Sequence, residues 1–127
     1  MYRIIIVGIG GFIGSALRYI VSGYIQDISH SISFPYGTLS VNIIGCFLMG
    51  MISQLVDLQI GITSETRLFL MVGVLGGFTT FSAFGNETIK LLQDQRIFLS
   101  LMYIGSHIFI CLLAVFAGMI ISKYIWR

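Results

Sequence analysis

Charge is what this sequence has least of: Asp, Glu, Lys and Arg make up only 9% of its 127 residues, and it holds a single proline and a single tryptophan. A water-soluble domain carries about 25% charged residues, so this scarcity, beside 57% hydrophobic residues and a mean hydropathy of +0.98, excludes one and places the chain in lipid. The net charge of +2 is scattered, with no basic run or aromatic-basic interleaving, which excludes nucleic acid as a partner. The two cysteines, Cys46 and Cys111, lack C-x-x-C or Cys/His ligand spacing, which leaves them the role of small core residues. No Ser/His/Asp set, metal cluster or carboxylate pair is present, so the chain is not expected to be an enzyme.

What is there is long apolar runs. Ile4–Gln26 is interrupted only by Arg18, and Ile28–Val56, Leu68–Asn86 and Ile97–Ser122 contain no Asp, Glu, Lys or Arg at all. A helix needs roughly 20 apolar residues to cross roughly 30 Å of hydrocarbon. The expectation is an all-α membrane protein, one domain over residues 1–127, with four transmembrane helices near 3–26, 36–56, 66–92 and 97–124. A cleaved signal peptide is disfavoured for the first run, because Arg18 interrupts it and "SGYIQDISHS" is a weak cleavage site.

The stretch "VGIGGFIGSALRYI", Val7 to Ile20, has the glycine spacing of a dinucleotide-binding turn. That fingerprint requires a second buried strand ending near an acidic residue. Here the only acid before Asp57 is Asp27, followed by "ISHSISFPYG", a poor strand. The glycines instead suit helix packing: Gly10 and Gly14 form a G-x-x-x-G pair, and Gly11, Ser15, Arg18 and Ser22 share one face at steps of three or four.

With four spans, Arg3, Arg67, Lys123 and Arg127 lie on one side, against Lys90 and Arg96 on the other. That bias is too weak to fix orientation, so insertion both ways is open. Four short helices leave little room for an enclosed aqueous path, which makes an oligomer the default.

The residues least at home in lipid are few. Arg18 within a span costs a few kcal/mol or more unless it meets water or a partner; it either snorkels to the interface or stands as a cation at a water-filled mouth. Thr38, Asn42, Gly45 and Ser53 form a polar stripe on the second helix, with Asn42 either interhelical glue or an N–H donor to an anion. "GGFTTFSAFGNE", Gly76 to Glu87, is a poor helix interior and suits a break in helix 3 whose freed carbonyls line a cavity or hold an ion. Phe78, Phe81 and Phe84 form a stripe that spacing alone assigns to core or lipid contact; beside Asn42, Arg18 and hydroxyls such as Thr80 and Ser82, the positive ring edges make it an anion-path candidate. Glu87 is a capping, interfacial or pathway residue. Tyr103, His107 and Cys111 share a face of the fourth helix, where a lone histidine either bonds a neighbouring helix or serves the pathway.

"GGFTTFSAF", "GTLSVNIIG" (Gly37 to Gly45) and "GGFIGSALRY" (Gly10 to Tyr19) together resemble the Fluc/CrcB fluoride channels, in order and spacing over nearly the whole chain. The resemblance implies an antiparallel, dual-topology homodimer: two identical subunits in opposite orientations in the plasma membrane, passing fluoride through two pores around one structural sodium ion. It implies that Phe81 and Phe84 line the pore, Asn42 donates its amide, and Arg18 sits near a vestibule. Thr38, Thr80, Ser82, Glu87, Tyr103 and His107 are the remaining pathway candidates. Gly76 and Thr79 would offer backbone carbonyls to sodium from both subunits. The family commonly has a hydroxyl residue where Ala83 stands, and small hydroxyl residues near His107 and Cys111. The function so implied is passive export of fluoride. The alternatives are a small multidrug-resistance-type transporter, which wants a carboxylate in helix 1 where Arg18 stands, and a noncatalytic membrane subunit.

Overall fold

The computed structural model describes residues 1–126, and they form helices and short connections, with no strand among them. Arg127, counted in the charge bias, lies outside the described residues. Helix α1 is Tyr2–Ser29 and ends where His30 turns into the left-handed region at φ 51°. Gln26 closes the turn that follows: its Nε2 donates to the Ser31 and Phe34 carbonyls, and its Oε1 accepts from Gly37 N. Helix α2, Tyr36–Asp57, begins directly after Pro35, whose ring fixes φ and offers no N–H to extend a helix backward.

The third apolar run is built in pieces. Thr63 caps α3, Ser64–Arg67, by accepting from Thr66 N at 3.1 Å. A π-helical stretch, Leu68–Leu75, leads into the short α4, Gly76–Phe78. The chain then extends through Thr79 and Thr80 before α5, Phe81–Gln93, resumes. Helix α6, Ile97–Ile125, returns across the molecule.

Four segments are long and apolar enough to cross a membrane: Tyr2–Ser29, Tyr36–Asp57, Ser64–Gln93 and Ile97–Ile125. They match the expected spans, each reaching one to three residues further at one end or both, because helical hydrogen bonding continues past the apolar run into the interface. The expected break in the third span falls at Thr79–Thr80.

Glycine sets how closely the helices approach. A Cβ on Gly14 would lie 2.0 Å from Val74 O, and one on Gly10 would lie 2.7 Å from Phe69 O, so the G-x-x-x-G pair of α1 seats the π-helical stretch. Gly11, on the polar face, meets nothing there within 4 Å. A second seam joins α2 to α6, where a Cβ on Gly50 would lie 2.0 Å from Val115 O and one on Gly118 would lie 2.1 Å from Phe47 O. Backbones this close gain dispersion contact without hydrophobic drive, as helix association in lipid requires.

The buried side chains invert the pattern of a soluble protein. Leu39, Val41, Leu75, Phe78, Leu91 and Tyr103 are buried, but so are Thr38, Asn42, Thr88, Ser100, His107 and Ser122, while large apolar residues such as Phe12, Phe98 and Phe116 are exposed. An apolar exterior suits lipid, so the polar interior is where function is to be sought.

Candidate functional site

The site is organised by the break. Thr79 and Thr80 adopt extended backbone, with ψ of 156° and 118°, which strips the local peptide groups of helical partners. Asn42 of α2 replaces them: its Oδ1 accepts from Thr80 N at 2.8 Å, and its Nδ2 donates to Thr80 O at 3.0 Å. The side-chain amide thus pairs with the backbone as a neighbouring strand would. Thr80 also caps α5, its Oγ1 accepting from Ala83 N at 3.2 Å. Gly45 makes room for this arrangement, since a Cβ there would lie 2.2 Å from Thr79 Cγ2.

Two electrostatic consequences follow from the break. The N-terminus of α5, with its unpaired amides and positive dipole end, is held at mid-span, where it favours an anion. The donor that a continuous helix would send to Gly76 O is Thr80 N–H, which goes to Asn42 instead, so the Gly76 carbonyl is released. Thr79 O also leaves the ladder and accepts from Arg18 Nη1 at 3.2 Å. These two carbonyls are among the oxygens the break frees, and carbonyl oxygen is the ligand type that suits a hard cation.

From Asn42 a file of polar groups continues through the subunit. Asn42 Nδ2 lies 3.1 Å from His107 Nε2, and His107 Nδ1 lies 3.1 Å from Tyr103 O. The Tyr103 hydroxyl donates to Glu87 Oε2, and Thr38 Oγ1 donates to Glu87 Oε1 at 2.8 Å. Phe84 flanks this file, its ring 4.3 Å from the His107 ring and 5.5 Å from that of Tyr103. Phe81 stands 5.3 Å from Phe84 but is 82% exposed, so one ring is half-buried against the core and the other lies on the surface.

The file joins two depressions. One, of about 550 Å³, is lined by Ser15, Arg18, Ser22, Thr38, Ser82 and Asn86 among others; the second, of about 270 Å³, includes Gln26, Ser33, Glu87, Lys90 and Asp94. Thr38 lines the first and Glu87 the second, so the bond between them links the two. Arg18 does not snorkel away: its guanidinium is bound at Thr79 while lining the first cleft.

The structure therefore brings together Thr38, Asn42, Thr80, Phe84, Glu87, Tyr103 and His107. It leaves Phe81, Ser82 and Gly76 exposed on the same subunit. Asn86 was not singled out by the sequence; its signal is position, four residues after Ser82 on α5. The Asn42–His107 bond joins residues 65 apart in the chain, and no local pattern announces it.

Residues 5–119 match the family model described as CrcB-like protein, Camphor Resistance (CrcB). This chain belongs to the CrcB family. All three stretches that surround the break, Gly10–Tyr19, Gly37–Gly45 and Gly76–Phe84, lie within the matched residues. The CrcB chain is 43% identical to "Fluoride-specific ion channel FluC 3" of Methanosarcina barkeri (strain Fusaro / DSM 804), over 93% of its length and 88% of that protein. It is 42% identical to "Fluoride-specific ion channel FluC" of Elusimicrobium minutum (strain Pei191), covering 94% of the chain and 93% of the relative. A protein of the same name from Agrobacterium fabrum (strain C58 / ATCC 33970) is also 42% identical, over 97% of this CrcB chain and 98% of the relative.

Proposed function

We propose that this CrcB protein is a fluoride channel of the plasma membrane, working as an antiparallel pair of identical subunits. The observation that carries the reading is the polar file from Asn42 to Glu87 inside an otherwise apolar subunit, beginning at a helix N-terminus held at mid-span. Fluoride is small and tightly hydrated, so a pore must replace part of its water shell with donors. Amide N–H, hydroxyl O–H and the positive edges of Phe84 and Phe81 are such donors. Arg18 at the wider cleft raises the local anion concentration.

Transport of this kind needs no energy source. Hydrogen fluoride enters cells uncharged and ionises in the less acidic cytoplasm, and the trapped anion then leaves down its electrochemical gradient. A multidrug-type exporter is disfavoured because α1 presents Arg18, not a carboxylate, and Glu87 has both oxygens engaged by hydroxyls.

The second subunit is inferred from surface chemistry. Ser82, Asn86 and Gly76 are exposed within the third span beside Phe81, and bare polar groups facing lipid are costly. A second copy covers them, and the weak charge bias permits its opposite orientation. Gly76 O and Thr79 O from both copies would then supply four oxygens to a structural sodium ion, once Arg18 yields Thr79 O. Thr79→Ala keeps that carbonyl, so it should bind sodium nearly as well as wild type; complete loss with the fold intact would mean side-chain ligation.

The test of the proposal is efflux from proteoliposomes followed with a fluoride electrode. Fluoride should leave down its own outward gradient when a potassium ionophore dissipates the opposing potential, with no added nucleotide. Absence of efflux under those conditions would end the channel reading.

A further inference from the structure

We infer that His107 is a positioning residue whose protonation state sets how strongly this channel conducts; the inference rests on the fluoride reading above. The geometry fixes which ring nitrogen carries the proton. Tyr103 O can only accept, so His107 Nδ1, 3.1 Å away, is the donor. Thr80 N can only donate, so the Asn42 amide is oriented with Oδ1 toward it at 2.8 Å and Nδ2 toward His107. Asn42 Nδ2 is a donor, so His107 Nε2 at 3.1 Å must accept through its lone pair. The arrangement is satisfied only by a neutral imidazole in the Nδ1–H tautomer.

In that state Asn42 has no N–H to spare. One is held by Thr80 O at 3.0 Å, the other by His107. The Thr80 pair is the bond that stabilises the break, so the donor available for an anion is the one His107 occupies. A protonated ring cannot accept: its Nε2–H would face the Asn42 N–H, and that contact breaks. The result is two donors and a positive charge beside Phe84, where there had been a lone pair and an occupied amide. Conduction therefore rises as pH falls through the titration of His107.

The groups around the ring come from each neighbouring element. Glu87 of α5 reaches it through the Tyr103 hydroxyl. Tyr103 and Cys111 flank it on α6, and Cys46 of α2 lies against Cys111. Arg18 of α1 is held at Thr79 O.

His107→Gln supplies the contrast, because the glutamine carbonyl can take the Asn42 N–H as Nε2 does but gains no proton in this range. The experiment records fluoride efflux from proteoliposomes between pH 8 and pH 5, with empty vesicles correcting for hydrogen fluoride leak. The rate for wild type should rise about fivefold, the worth of one net hydrogen bond, and His107→Gln should show no rise. A flat wild-type profile, or the same rise in His107→Gln, overturns the inference while leaving the fluoride reading intact. No efflux at any pH overturns the fluoride reading and this inference with it. Independently of any variant, ¹⁵N spectra of the histidine-labelled protein should show His107 as the Nδ1–H tautomer at pH 8; an Nε2–H tautomer contradicts the argument.

Discussion

Removing the Asn42 amide is the perturbation that reaches furthest into this structure. Asn42→Ala deletes the bonds to Thr80 N at 2.8 Å, Thr80 O at 3.0 Å and His107 Nε2 at 3.1 Å, all at a residue only 7% exposed. Hydrogen bonds between helices in a bilayer average about 0.6 kcal/mol and reach about 1.7, so three of them amount to roughly 2–5 kcal/mol. The buried Thr80 N–H left without an acceptor pushes the cost toward the upper end. Reversible unfolding in mixed micelles, with increasing denaturing detergent, measures this directly. A double-mutant cycle with His107→Ala then separates the Asn42–His107 bond from the Thr80 pair, and the coupling should be about 0.6 to 1.7 kcal/mol. If Asn42→Ala unfolds within about 0.3 kcal/mol of wild type, the break is not held by this side chain; strict additivity of the two substitutions would instead mean that the Asn42–His107 contact contributes nothing.

Gly14→Leu should abolish a monodisperse species on size exclusion, because its Cβ alone would lie 2.0 Å from Val74 O, whereas Gly8→Ala, with nothing within 4 Å, should be silent. Phe81→Ile and Phe84→Ile conserve bulk but delete the ring edge; the account expects folded protein with strongly reduced efflux in at least one, and wild-type rates in both and in the double variant would make the rings mere packing. Cysteine labelling of an introduced terminal tag should find each terminus on both sides of the membrane, and a single orientation would remove the antiparallel pair.

The spans and the break were legible because each rests on a local property. Long runs without charge require helices of membrane length, and Gly-Gly followed by Thr-Thr and then a new apolar-polar stretch marks where one ends and another starts. The polar faces of α2 and α6 were also visible by spacing, but their pairing was not. That Asn42 would clasp Thr80 and His107, and Glu87 gather Thr38 and Tyr103, depends on how α2, α5 and α6 cross. The crossing is set in turn by Gly50 and Gly118, which the sequence presents as unremarked glycines in apolar helices. The π-helical turn Leu68–Leu75 was equally hidden, since LFLMVGVL is apolar throughout and has no periodic pattern to be shifted.

The measurement closest to the central claim is current through a planar bilayer holding the purified protein, with fluoride on one side and chloride on the other. The account predicts a steady current carried by fluoride, with a reversal potential displaced strongly in the direction of fluoride selectivity, and its loss when chloride replaces fluoride on both sides. Equal currents in the two salts, or none in fluoride from folded protein, would contradict it.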